Sequence, residues 1–181
     1  MKKLLFAEKN QKNDFQNAVR WYNEYRIRED RSRGFGASKA GGKRMKEIRV
    51  PAQVEQLEVV NDFVAAELEM RDCSAKTQMQ IALAVEEIFM NIANYAYNPE
   101  VGEATIRCVV GGEPLHIEIT FLDDGKPYDP LAKEDPDITL SAEEREIGGL
   151  GVFLVKKLMD DVRYEYRNGS NILTVRKSLA E

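Results

Sequence analysis

Apolar positions along the chain follow the period of a helix in some segments and the period of a strand in others. Spacings of three and four residues predict helices over 53–70 and 75–97, with Ser74 as the N-cap of the second. Alternation of apolar and polar residues predicts strands over 104–110 and 115–122, which form a hairpin. Two helices followed by a hairpin indicate a domain that combines α and β structure.

The remaining elements lie on either side of this central region. A short strand after Met45 ends at Pro51, and a Gly-rich sequence at 148–151 begins a helix that runs to about residue 160. Two further strands are predicted over 162–167 and 172–177. The order of elements predicts the α+β class, as a two-layer α/β sandwich with helices on one face of a mixed, mostly antiparallel sheet.

The first 44 residues differ in composition from the rest of the chain. They carry 12 Lys or Arg and five Asp or Glu, a net charge of +7, which leaves −12 for the remainder because the whole chain carries −5. Apolar spacing predicts a helix over 14–31, followed by a Gly-rich basic linker. We therefore divide the chain into an N-terminal extension, 1–44, and a domain, 45–181. The extension is a basic arm that binds an acidic surface, such as that of the domain itself, or a solvated segment, or a helix that docks on a neighbour through Trp21 and Tyr25.

Composition excludes several classes of protein. No run of about 18 apolar residues predicts a membrane span, and the N-terminus has no secretory signal. An acidic domain disfavours direct binding of nucleic acid, which requires a basic face. Cys73 and Cys108 have no metal-ligand spacing, so we expect two reduced core thiols in a cytoplasmic protein.

Two motifs carry polar residues suited to catalysis or ligand binding. Glu87 and Asn91 lie one turn apart on a largely apolar predicted helix, where a carboxylate and a carboxamide need a binding partner unless they face solvent. Asp123 and Gly125 end a predicted strand. A carboxylate there can accept a hydrogen bond from an amine such as that of adenine, and the glycine permits close approach of the backbone. An ordinary Asp-Gly turn is the alternative for this second motif.

The third motif consists of Gly149 and Gly151 at the start of the last predicted helix. Free N–H groups at a helix N-terminus bind phosphate, although this sequence is neither a dinucleotide fingerprint nor a P-loop. The preceding loop, 124–146, has about 23 residues, a length typical of lids and binding loops. The glycines could therefore equally serve as the hinge of a lid.

Taken in this order, the three motifs resemble the histidine-kinase-like (GHKL) ATPase superfamily, and within it the anti-sigma-factor serine/threonine kinases. The similarity covers residues 45–177 and rests on E-x-x-x-N, D-D-G-x-P-Y-D-P and G-G-L-G-x-x-L-V-x-K-L-M-D-D-V. It implies a Bergerat-type ATP-binding fold with ATP and Mg²⁺ as cofactors. By this resemblance Glu87 acts as the general base, Asn91 coordinates Mg²⁺, and Asp123 contacts the adenine amine. Gly125 would let the adenine ring approach, and the glycines of the third motif would border the phosphates.

The same resemblance implies a kinase that phosphorylates a small anti-anti-sigma-type protein and sequesters a sigma factor, acting as a homodimer. Two positions depart from the family pattern. The family often has a basic residue directly before the glycines, whereas here Ile147 precedes them and Arg145 is the nearest candidate for contact with the γ-phosphate. The family often has a Thr near the adenine, where this chain has Ser170 and Asn171.

These departures leave a second function open, a nucleotide-gated protein-binding module with little or no kinase activity. A third class, the ATPase module of a DNA-repair or topoisomerase machine, would need a transducer domain. His116 is the single histidine and is interpreted as structural, so phosphorylation on His is not expected.

Overall fold

The computed structural model describes residues 44–69, 71, 73–132 and 150–180. The predicted helix at 14–31 and the second part of the long loop lie outside these residues. The helices and strands are β1 (Arg44–Pro51), α1 (Leu57–Glu69), α2 (Ala75–Asn91), β2 (Glu103–Gly111), β3 (His116–Asp123), α3 (Leu150–Leu158), β4 (Asp161–Arg167) and β5 (Ser170–Ser178). A 3₁₀ turn, Val54–Gln56, precedes α1, and a π-helical turn, Ile92–Ala96, follows α2.

The strands form one sheet in the order β1-β2-β3-β5-β4, which confirms the predicted α+β sandwich. In one respect the sheet differs from the prediction, because every pairing in the described part of the chain is antiparallel rather than mixed. The hairpin at Asn168 and Gly169 places β5 between β3 and β4. Because β5 lies between them, β3 and β4, which run in the same direction, do not pair with each other.

One face of the sheet is buried and the other is open. Alternation places Ile106 opposite Phe121 on the inner face, where the helices cover them. The helices contribute their own buried side chains to this core: Val60, Phe63, Val64, Leu68, Ile81, Ala84, Val85, Ile88 and Phe89. Each large side chain buried in this way contributes about 1.5–3 kcal/mol. The open face carries ion pairs instead, such as Arg163 with Glu118 at 2.8 Å.

The helix termini follow local sequence signals. The predicted N-cap is confirmed, since Ser74 Oγ accepts a hydrogen bond from the N–H of Thr77 at 3.2 Å. The first helix begins later than predicted, because Gln53 is extended and the next three residues form the 3₁₀ turn. Val54, an apolar residue within the predicted helix, is 43% exposed. None of the helices in the described residues is long and apolar enough to span a membrane.

The two cysteines have different environments. Cys108 is buried on β2, as expected of a core thiol, and burial raises the pKa of its thiol well above the ordinary value. Cys73 is only partly buried, so its assignment to the core was wrong. It lies in the connection between α1 and α2, directly before the N-cap residue Ser74.

Candidate functional site

A cleft of about 780 Å³ opens between α2, α3 and the inner face of the sheet, at the end where β3 finishes and β5 begins. Its volume is in the range of sites for small molecules and cofactors. Glu87, Asn91, Asp123 and Gly151 all line it. The fold therefore brings residues of all three sequence motifs to one cavity.

Glu87 and Gly151 are in contact where α2 passes the first turn of α3. A Cβ at position 151 would overlap with Glu87 Oε2, so only glycine allows this approach. The free N–H groups of the first turn of α3 consequently lie near a half-buried carboxylate that faces the cleft. This end of the cavity combines a base with backbone donors suited to phosphate.

Asn91 is the last residue of α2 and lies one turn beyond Glu87. The π-helical turn that follows is a feature frequently found at functional sites. The carbonyl of Ala96, at the end of this turn, accepts a hydrogen bond from the N–H of Lys126 at 2.9 Å. The end of α2 is therefore fixed to the segment that leaves β3.

Asp123 is a buried acceptor at the opposite wall of the cleft. It ends β3, and alternation with Phe121 directs it to the inner face, where it is 7% exposed. Oδ1 accepts hydrogen bonds from Asn171 Nδ2 at 2.8 Å and from the N–H of Gly125 at 3.0 Å. Burial raises the pKa of Asp123 above its ordinary value, and these two hydrogen bonds oppose the rise.

Asn171 is a site residue whose contacts the sequence did not predict. It is 7% exposed, and besides Asp123 it donates to the carbonyl of Lys126 at 3.1 Å. Its Oδ1 accepts from the N–H of Tyr128 at 3.1 Å and from the hydroxyl of Tyr164 at 2.8 Å. Alternation along β5 was the available signal, because it places position 171 on the inner face, where an amide must be hydrogen-bonded.

The backbone around Gly125 packs against α2. A Cβ at this position would lie 2.5 Å from the carbonyl oxygen of Ala96, so the glycine is required for contact with the π-helical turn, and it does not line the cleft. Its expected role, to admit the adenine ring, stays a prediction. Tyr97, to which the sequence analysis gave no role, accepts from the N–H of Asp124 at 2.7 Å and donates to the carbonyl of Glu103 at 2.7 Å.

Two expected site residues, Gly149 and Arg145, lie outside the described residues. His116 lies at the other end of β3 from Asp123, with Nδ1 2.9 Å from the carbonyl oxygen of Pro114.

Within the part of the chain that the structure describes, no three His, Cys, Asp or Glu side chains are grouped as metal ligands. Asn91, which lines the cleft, carries a hard carboxamide oxygen of the kind that Mg²⁺ accepts together with phosphate oxygens and water.

Comparisons with known proteins identify the family of the chain. The family of histidine kinase-like ATPase domains matches residues 50–177. The serine-protein kinase RsbW of Oceanobacillus iheyensis is 31% identical over 145 residues, which cover 75% of this chain and 87% of the relative. The serine-protein kinase RsbW of Bacillus cereus strain B4264 is 29% identical over 131 residues, which cover 70% of this chain and 81% of the relative.

A solved structure supports the fold. The RsbU and RsbW domains of a Mycobacterium tuberculosis protein match with a TM-score of 0.56 and 14% identity, over 76% of this chain and 33% of that longer chain. The sequence match includes all three motifs and nearly the whole described domain. The chain therefore belongs to the histidine kinase-like ATPase family, in the group of the RsbW serine-protein kinases.

Proposed function

We propose that this protein binds ATP and Mg²⁺ in the cleft and transfers the γ-phosphate to a serine or threonine of a small anti-anti-sigma-type protein. The observation that carries the proposal is the contact of Glu87 with Gly151. It sets a carboxylate beside the N-terminus of a helix inside a cavity of nucleotide size. Phosphoryl transfer depends largely on positioning and electrostatic stabilisation, and this arrangement supplies both.

Glu87 has the properties of a residue that orients the attacking hydroxyl. Its side chain lines the cleft, and its backbone belongs to a helix whose buried side packs in the core. As a general base it would accept the proton of the substrate hydroxyl. The N–H groups at the start of α3 would meanwhile face phosphate oxygens.

Asn91 is the residue that would hold Mg²⁺. Its carboxamide oxygen is a hard neutral ligand, and the metal prefers few protein ligands combined with phosphate oxygens and water. When bound, Mg²⁺ supplies positive charge that offsets the charge on the phosphates. Gly149 and Arg145 would complete the phosphate end from the segment after residue 132.

Asp123 has the properties of the residue that selects the base. Both hydrogen bonds from described residues end on Oδ1, which leaves Oδ2 as the oxygen to accept from the exocyclic amine of adenine. A guanine or hypoxanthine would present a carbonyl oxygen there, opposite another acceptor. A buried carboxylate of this kind therefore favours a 6-amino purine.

The partners are proposed from the family resemblance. We propose an anti-anti-sigma-type protein as the phosphate acceptor and a sigma factor as the sequestered partner, bound by a cytoplasmic homodimer. A nucleotide-gated module with little or no turnover is the second candidate. It is favoured by the residue before the glycines, since Ile147 stands where the family often has a basic side chain.

Phosphate transfer from labelled ATP separates the two functions. The full chain is incubated with γ-³²P-ATP, Mg²⁺ and an anti-anti-sigma-type protein of the same organism. We expect labelling by the wild type and a loss of at least about 100-fold in Glu87→Ala, with ATP binding retained. Glu86→Gln is the matched control, because Glu86 is the exposed neighbour on the same helix and does not line the cleft. Tight ATP binding without transfer to the acceptor would establish the module instead.

A further inference from the structure

The side chain of Asn171 has four hydrogen-bonding positions, and all four are taken by the protein. The two N–H bonds of Nδ2 are directed to Asp123 Oδ1 and to the carbonyl of Lys126. The two lone pairs of Oδ1 accept from the N–H of Tyr128 and from the hydroxyl of Tyr164. Although Asn171 lines the cleft, this amide has no donor or acceptor left for a ligand.

These surroundings also fix the direction of the amide. If the amide were turned over, its oxygen would face the carboxylate of Asp123 and its NH₂ group would face the N–H of Tyr128. Both contacts would then be repulsive. The buried amide therefore holds a single orientation and is a rigid support for the groups around it.

The groups held by Asn171 all lie at the Asp123 end of the cleft. Asn171 and Asp123 are opposite each other in the register of β3 and β5, so the strand pairing itself sets the two side chains face to face. Lys126 and Tyr128, whose backbone Asn171 binds, belong to the segment that follows β3 and line the same cavity. Tyr164 joins the amide to the neighbouring strand β4.

We propose that Asn171 is the positioning residue that sets the base selectivity of the site. It fixes the rotamer of Asp123 so that Oδ2 faces the base, and it holds the 126–128 segment over the same end of the cleft. It acts through Asp123 and not by contact with the nucleotide. This assignment rests on the proposed binding of ATP, and it deepens that proposal by naming what makes the carboxylate selective.

The test compares ATP with purine ribonucleoside triphosphate, which lacks the 6-amino group, by calorimetry in the presence of Mg²⁺. The full chain is used as wild type, Asn171→Leu and Asn171→Ser. The leucine is nearly isosteric but removes all four hydrogen bonds, whereas the serine keeps one hydroxyl that can donate to Asp123. Thr174→Val is the matched control, because Thr174 lies on the same strand but on the open face, with its hydroxyl 3.1 Å from that of Thr120.

In Asn171→Leu we expect the dissociation constant of ATP to rise on the order of 10-fold and that of the analogue by less than about 3-fold. Asn171→Ser should recover part of the selectivity, and Thr174→Val should keep all of it. The assignment would be overturned if, in variants that unfold at the wild-type temperature, the dissociation constants of both nucleotides rose equally. It would also be overturned if neither constant rose. If Asn171→Leu does not fold, the test uses Asn171→Ser, and the deciding quantity is the dissociation constant of the analogue divided by that of ATP. Failure of the wild type to bind ATP would overturn the proposed function itself, and this assignment with it.

Discussion

Gly151 packs so closely on Glu87 that a single added methyl group would overlap with the carboxylate. The two residues belong to different helices and are far apart in sequence, and their contact defines the phosphate end of the proposed site. Glycine is less favourable than alanine in a helix, by about 1 kcal/mol at interior positions. Glycine at position 151 therefore allows α3 to approach the Glu87 side chain closely, at some cost to the stability of the helix.

Gly151→Ala should lower phosphate transfer and leave the stability of the fold nearly unchanged. The added Cβ meets the mobile end of the Glu87 side chain and no backbone atom, so the carboxylate can move aside at little cost to the fold. We expect a free energy of unfolding within about 1 kcal/mol of the wild type. Phosphate transfer should fall on the order of 100-fold, because a displacement of about 1 Å at a reacting group has an effect of that size. Urea unfolding and labelled-ATP transfer measure the two quantities, and a variant with full activity would show that the position of Glu87 is unimportant.

Asp123→Asn should change the preference for the base. Asparagine Oδ1 can keep both hydrogen bonds, from Asn171 and from the N–H of Gly125, so Nδ2 would replace the oxygen that faces the base. A donor at that place repels the amine of adenine and favours a 6-oxo purine. We expect the dissociation constant of ATP to rise about 10- to 100-fold and that of ITP to fall. Competition between the two nucleotides measures the change, and an unaltered preference would exclude Asp123 from base recognition.

Titration of Asp123 should contribute to the pH dependence of the free energy of unfolding. Burial holds its pKa above the ordinary value in the folded chain, so the native state binds this proton more tightly than the unfolded state. Its contribution to stability is therefore greatest below the unfolded pKa of about 3.9 and decreases as the pH rises through the folded pKa. Asp123→Asn lacks this dependence. The free energy of unfolding of the wild type should decrease relative to the variant between pH 4 and neutrality; the opposite slope would contradict a raised pKa.

Much of the fold and part of the site could be predicted from the sequence, and the difference has a physical basis. The Glu87 and Asn91 pair was predictable because i, i+4 spacing on a helix decides which side chains share a face. The contact of Glu87 with Gly151 was harder to predict, since it depends on how two helices cross. The family resemblance put Asn171 in the region of the adenine, but its contacts were the hardest to predict, because they depend on strand order. Only when β5 lies beside β3 do positions 123 and 171 become neighbours, and the sequence does not state that β5 inserts before β4.

Tyr97→Phe should destabilise the domain without altering its shape. The hydroxyl bridges the start of β2 and the end of β3, as acceptor for Asp124 and donor to Glu103. Its removal leaves a backbone N–H and a backbone carbonyl without this partner, at a cost of about 1–2 kcal/mol. Chemical denaturation measures the change. Tyr95→Phe is the control, since Tyr95 is 71% exposed and should stay within about 0.5 kcal/mol of the wild type. Equal effects of the two substitutions would contradict the bridging role.

The ion pair of Lys46 with Glu67 joins the edge strand β1 to α1 on the inner face of the sheet. Their side chains are only 18% and 11% exposed, so each charge depends on the other. Lys46→Met alone leaves the carboxylate buried without its partner, and we expect a loss on the order of 3 kcal/mol. Lys46→Met combined with Glu67→Met removes both charges and should cost markedly less than the sum of the two single changes. Urea denaturation of the four proteins gives the coupling energy, and additive losses would show that the pair contributes no net interaction.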